Sequence, residues 1–273
     1  MLRKRVVTAL WGIPLVVAAV WFSRPEYGFS SFTVLAAVLG LLAAMEFYRL
    51  TAVSKVLPLY ICGLLFTFLF IIYPHFSCNL NVPLLSLLLV AAVALPLILL
   101  VFLPAKEGLF HSWAWTLGGV LYIGWLLSFL VALRLDAGRD WLFLALFATF
   151  GSDTAAYFIG KAIGRHKLAP NISPGKTWEG AAAGLFGAVI ISLLFTLNTP
   201  LGLPLGYGQA IILGLLISVF GQLGDLVESL LKRNFGVKDS GNLMPGHGGL
   251  LDRLDSVVFA GVVVYLYYFL VVV

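Results

Sequence analysis

The chain has 273 residues, of which 61% are hydrophobic and only 11% charged, with a net charge of +5. A soluble domain runs near half apolar and about a quarter charged, so a fold bathed in water on all sides is excluded and lipid must solvate much of this chain. The basic balance would suggest nucleic acid in a soluble protein; here basic loops that set membrane topology account for it, and no nucleic-acid partner is expected.

In chain order, Met1 to Arg5 carries three basic residues ahead of an apolar run at 6–22. No small-residue cleavage site follows, and Arg24-Pro25-Glu26 leads into another apolar run. This predicts a retained first transmembrane helix rather than a signal peptide. Segments 29–48, 56–73, 82–103, 112–133, 141–160, 178–197, 207–231 and 255–273 follow, each near the length that spans a bilayer. The fold class predicted is therefore an all-α polytopic membrane protein of nine spans. With the N-terminus in the cytoplasm, fourteen of the 17 Lys and Arg fall inside and only Arg24, Arg134 and Arg139 outside, a positive-inside pattern that puts the C-terminus outside. Residues 1–110 read as a scaffold of transmembrane helices and 111–273 as the region bearing the chemistry. Cys62 and Cys78 form no metal or redox motif.

Charge concentrates in two places: Asp153 to Glu179 and Asp225 to Asp255 together hold about half of it. Ionisable groups within spans are costly and face a cavity or a partner. In the first segment Asp153, Tyr157, Gly160, Lys161 and Gly164 share one helix face. The glycines open that face to a ligand or to another backbone; a helix-packing seam explains them but leaves Asp153 unexplained. Then comes Ser173-Pro-Gly-Lys-Thr-Trp-Glu-Gly180. Ser173 is predicted as an N-cap with Pro174 in the first turn, so that Ser173, Lys176 and Thr177 would meet a phosphate at a helix start. Gly175-Lys176-Thr177 looks like the end of a Walker A loop, but Pro170 stands where its first glycine belongs. A plain capped helix with a topogenic lysine reads equally well at this point.

The second segment decides the reading. Gly221, Gly224, Asp225, Glu228 and Lys232 lie on one helical stripe; Asp252, Asp255 and Ser256 lie on another across a Gly-rich turn. Hard oxygen ligands grouped in this way suit Mg²⁺, which binds through one or two carboxylates plus substrate phosphates. Asp225 and Asp252 are the leading metal candidates, with Asp255, Glu228 and Asp153 as further candidates for a second cation. Gly246-His-Gly-Gly249 can curl its N–H groups around an anion at the start of the last helix.

Ser229-x-x-Lys232-Arg233, Lys238-Asp239-x-Gly241, Pro245-x-His247-Gly248-Gly249 and Asp252-Arg253-Leu254-Asp255, with their spacing, resemble the signature of the phosphatidate cytidylyltransferases (CDP-diacylglycerol synthases). Met244 is the one departure noted, an apolar exchange. Asp153-x-x-x-Tyr157, Ser173 to Gly180 and Glu46-Phe-Tyr-Arg49 resemble that family too. The resemblance implies that CMP passes from CTP to phosphatidate, giving CDP-diacylglycerol and pyrophosphate, with Mg²⁺ as cofactor. It implies a homodimer in the bacterial cytoplasmic membrane with its site on the cytoplasmic side. Asp225, Asp252, Lys232, Arg233, His247 and Arg253 would carry the reaction; Ser173, Lys176, Thr177, Lys238, Asp239, Gly248, Gly249 and Tyr157 would hold substrate. Alternatives from other classes are a CTP-dependent polyprenol or lipid-alcohol kinase, an ion-coupled transporter and a CDP-alcohol phosphotransferase. The His247-to-Asp255 segment opposes the first, the lack of an inverted repeat the second, and the lack of a spaced Asp-Gly-x-x-Ala-Arg motif the third.

Overall fold

A computed structural model describes residues 2–23, 30–77, 83–104, 107–241 and 248–273, without the side chains of 2–9 and 77. The helices run α1 Leu2–Trp21, α2 Ser31–Leu50, α3 Leu57–Ile72, the single turn α4 Pro74–Ser77, α5 Leu84–Val101, α6 Leu109–Gly119 and α7 Leu126–Ala132. Then come α8 Arg139–Ile163, a two-stranded hairpin, α9 Trp178–Leu194, α10 Tyr207–Asn234 and α11 Leu251–Tyr267. Wider π turns at Val120–Trp125 and Leu133–Ala137 flank α7, so one helical body runs Leu109–Ala137.

Each of the nine predicted apolar segments coincides with a helix. Six helices among the described residues are long and apolar enough to cross a membrane: Ser31–Leu50, Leu84–Val101, Leu109–Ala137, Arg139–Ile163, Tyr207–Asn234 and Leu251–Val272. The first, third and seventh segments fall on shorter apolar helices, Leu10–Trp21, Leu57–Ile72 and Trp178–Leu194. The chain is an all-α polytopic membrane protein. Its helix α5 shows what lipid does to a sequence: mean hydropathy is 3.0 yet only 11% of the helix is buried. Leu87, Val90, Leu95 and Ile98 stand exposed on it, an arrangement that water would penalise and hydrocarbon does not.

By internal packing the chain forms two units, Met1–Leu135 with Asp239–Leu251, and Asp136–Lys238 with Asp252–Val273. In the first, α3 packs on α2, α5 and α6 around Phe66, Phe70, Ala92 and Val120. Tyr48 is fully buried there, its hydroxyl donating to the Thr116 carbonyl at 3.1 Å. Its ring fills the space where Gly63 and Gly119 lack a Cβ.

In the second unit, α8, α9 and α10 pack through small residues. A Cβ at Gly187 would meet Ala155 Cβ and the Gly151 carbonyl at 2.8 Å; one at Gly214 would meet Val189 Cα at 2.7 Å. Helices in lipid gain from close van der Waals approach, which small residues permit. The seam read from Gly160 and Gly164 is therefore real: both face Thr177, and Gly160 also faces Gly180. Their space is taken by the Thr177 side chain and, at Gly160, by the Gly180 backbone as well.

Candidate active site

The Ser173 turn folds differently from its reading as a helix start. Ser173–Thr177 is a β-strand paired antiparallel with Lys167–Ala169, with Lys167 opposite Thr177 and Ala169 opposite Ser173. The N-cap is Thr177, whose hydroxyl accepts from Gly180 N at 3.2 Å. Trp178 N donates to the His166 carbonyl at 2.9 Å and closes the hairpin. Ser173 and Pro174 supply extended backbone because pairing with Lys167–Ala169 satisfies their neighbours' polar groups before any helix begins. Glu179, in the first turn of α9, faces the hairpin: its carboxylate lies 2.6 Å from His166 Nδ1.

The hairpin's consequence is that Lys176 is delivered to α10. Lys176 Nζ lies 2.8 Å from Asp225 Oδ2 and donates to the Gln222 carbonyl at 3.4 Å. Ser229 Oγ donates to Asp225 Oδ1 at 3.3 Å. One turn further along α10, Lys232 Nζ lies 2.5 Å from Asp252 Oδ1 and 3.4 Å from Glu228 Oε1. α11 approaches α10 where the latter carries glycine: a Cβ at Gly224 would collide with the Asp255 carbonyl and the Phe259 ring. Asp255 is buried, its Oδ1 accepting from Ser256 N at 2.7 Å. Asp153, on α8, lies in the field of Asp225, Asp255, Lys176 and Arg253. Five predicted carboxylates from three helices, together with Lys176 and Lys232, thus form one cluster within the second unit.

Other predicted residues stand in different settings. Arg233 is exposed and donates to the Ile172 and Val237 carbonyls, tying the hairpin turn to the end of α10. Arg253 is exposed in the first turn of α11. The Tyr157 ring is exposed, with Lys161 Nζ 5.8 Å from its centroid. Lys238 and Asp239 are exposed in the loop after α10. Gly248 has φ +83°, a backbone that glycine adopts without strain. His247 lies outside the described residues, as do Met244, Pro245 and Gly246.

In the sequence Glu46 belongs only to the family resemblance; in the structure it has a definite set of partners. This α2 carboxylate is 3% exposed. Its Oε2 accepts from Leu250 N at 2.7 Å, Leu251 N at 3.0 Å and Ser240 Oγ at 3.4 Å. The anion at these two amides of the last helix start is therefore a side chain of the protein. A carboxylate inside the apolar segment 29–48 is the signal that the sequence offers.

The donor set can be tested against Mg²⁺. Glu228 is fully buried, and among the described residues neither of its carboxylate oxygens has an aligned hydrogen-bond donor, since Lys232 reaches Oε1 in distance but not in geometry. A buried carboxylate in that condition calls for a cation or a proton. All the donors are hard oxygens of the kind Mg²⁺ takes. Among the described residues no three His, Cys, Asp or Glu side chains close on a single metal position; lysine ammoniums neutralise the acids instead. The residues fit the ion in kind and charge.

The family model described as "Cytidylyltransferase family" matches residues 3–271. This chain belongs to the cytidylyltransferase family. It is 35% identical to the phosphatidate cytidylyltransferase of Bacillus subtilis over 272 residues, 98% of this chain and 97% of the relative. It is similar to the phosphatidate cytidylyltransferase of Staphylococcus saprophyticus, at 40% identity over 64% of this chain and 66% of the relative. The enzyme of that name from Brucella suis is 44% identical over 56% of each chain. A cytidylyltransferase must hold the triphosphate of a nucleotide, and the Lys176 and Lys232 ammoniums, each beside a carboxylate, carry charge of the sign that such a group needs.

Proposed function

We propose that this cytidylyltransferase transfers CMP from CTP to phosphatidate, giving CDP-diacylglycerol and pyrophosphate. The observation that carries the reading is the Lys176–Asp225 ion pair. It joins the two segments that resemble the phosphatidate cytidylyltransferases into one polyanion site, in a chain that matches the Bacillus subtilis relative nearly end to end.

The chemistry needs positioning and charge neutralisation. A phosphatidate phosphate oxygen, already anionic at neutral pH, forms a bond to the α-phosphorus of CTP. The bond from that phosphorus to the α–β bridging oxygen breaks, and its electron pair leaves with pyrophosphate. No covalent intermediate on the protein and no strong base is required. Lys176 and Lys232 neutralise the triphosphate as they release Asp225 and Asp252. Arg233, Arg253 and Lys238 would meet the phosphates, with Ser173, Thr177 and Tyr157 as further substrate contacts; for Asp239, His247, Gly248 and Gly249 the family resemblance alone implies a part in substrate binding. Asp225 and Asp252 would hold Mg²⁺, with Glu228, Asp255 and Asp153 available to a second cation. When bound, such an ion withdraws charge from the transferring phosphoryl group.

The positive-inside distribution supports nine crossings with the N-terminus and the site on the cytoplasmic side, where CTP is found. The family resemblance further implies a homodimer.

Reconstitution with phosphatidate and CTP labelled at the α- or γ-phosphate tests the reaction. α-Label in the lipid and γ-label in pyrophosphate is the expected result. γ-Label in an added polyprenol would replace this reading with a kinase, and ion flux across vesicles without turnover would replace it with a transporter.

A further inference from the structure

α11 begins at Leu251, one residue before Asp252. The first backbone N–H groups of any helix have no partner within the helix. Here those of Leu250 and Leu251 are both taken by Glu46 Oε2, and a negative charge at that end also complements the helix dipole. The surroundings are shaped for this carboxylate. Gly241 and Gly249 both pack against it, and a Cβ at Gly249 would lie 2.6 Å from Oε2 and 2.8 Å from Gly241 N. Glu46 and Ser240 are both buried, so the contact is shielded from competing water. Leu251 is joined directly to Asp252, whose carboxylate meets Lys232.

We infer that Glu46 is a positioning residue for the transfer reaction: by capping the start of α11 from another helix, it sets the backbone from which Asp252 reaches into the site. The inference rests on the cytidylyltransferase reading for its kinetic part and on the geometry alone for its structural part. Glu46 touches neither substrate nor reacting atoms. A misplacement of about 1 Å in such a carboxylate lowers turnover by up to about a hundredfold.

The test compares Glu46→Ala and Glu46→Gln with the wild-type full chain in detergent. It measures hydrogen exchange of the peptide holding Leu250 and Leu251, and steady-state kinetics per monodisperse protein. In Glu46→Ala both amides should exchange faster, and kcat should fall by about tenfold to a hundredfold with KM for CTP little changed. Glu46→Gln keeps an acceptor oxygen at the same place, so it should restore slow exchange and most of kcat. Unchanged exchange in Glu46→Ala overturns the inference. So does a loss of activity that only tracks the loss of monodisperse protein, or a Glu46→Gln variant with wild-type exchange and the turnover of Glu46→Ala. If Glu46→Ala does not fold, Glu46→Asp, whose shorter side chain draws the acceptor back from both amides, takes its place with the same two readouts and the same overturning results. Absence of CMP transfer by the wild-type chain would sink the proposed reaction, and the exchange measurement would still judge the cap.

Discussion

Lys232 Nζ stands 2.5 Å from Asp252 Oδ1 and 3.4 Å from Glu228 Oε1, so one ammonium serves two acids from two helices. Its side chain is only 13% exposed and that of Glu228 not at all. Removing either acid leaves Lys232 with the other, whereas removing the lysine leaves two carboxylates without their common cation.

Asp252→Asn should therefore remain folded in the membrane, because Glu228 still answers the Lys232 charge. Turnover should fall by at least about a hundredfold, since an electrostatic group acting at the transferring phosphate is lost. Solubilised yield and α-label transfer measure the two effects separately. Near wild-type activity at saturating Mg²⁺ would remove Asp252 from the site.

Lys176→Met should separate stability from activity in the opposite corner of the site. The Lys176 and Asp225 side chains are 22% and 35% exposed, and partly solvated pairs contribute only about 0–1 kcal/mol. Thermal unfolding in detergent should barely move, while kcat/KM for CTP should drop by about a hundredfold. An equal loss in both would mark Lys176 as structural.

Gly187→Leu should destabilise the second unit without touching a charged residue. Its side chain would be driven into Ala155 and the Gly151 backbone, and overpacking of this kind costs about 1–3 kcal/mol. Gly175→Ala is the control, because a Cβ there meets nothing within 4 Å. A lower melting temperature for the first and an unchanged one for the second is the expected pair of results.

His75, in the turn after α3, lies with Nε2 2.8 Å from Thr33 Oγ1, and burial holds its imidazole below the ordinary value of 6.5. The folded chain therefore binds this proton less readily than the unfolded chain. Stability from this group is complete above pH 6.5 and declines as the pH falls from there toward the lower folded value. His75→Gln should flatten that part of a melting-temperature profile in detergent. A profile unchanged by the substitution would show that another group titrates.

Much of this was legible in the sequence, for physical reasons that differ by residue. The apolar runs announce helices because lipid leaves the backbone few other ways to satisfy itself. Asp225, Glu228 and Lys232 could be placed on one stripe because helix periodicity alone fixes it. Ser173 misled because the first turn of a helix and an extended strand both tolerate Ser-Pro-Gly; pairing with Lys167–Ala169 decided the matter, and strand partners are not visible in a local window. The role of Glu46 is not legible locally because its partners, Ser240 and Leu250, lie about two hundred positions away. The Lys176–Asp225 pair escaped for the same reason.

The hairpin between α8 and α9 is bonded along its strands, ends in the Thr177 cap of α9, and packs at its base against Gly160 and Gly164. An unstructured connection of the same length would have to surrender backbone freedom at each encounter with a nucleotide, at about 1–2 kcal/mol for every residue fixed. Here that ordering is completed once, when the chain folds. The ammonium of Lys176 consequently waits at a set height above α10, and the free energy of nucleotide binding can go into affinity and strain at the α-phosphate instead of into arranging the protein.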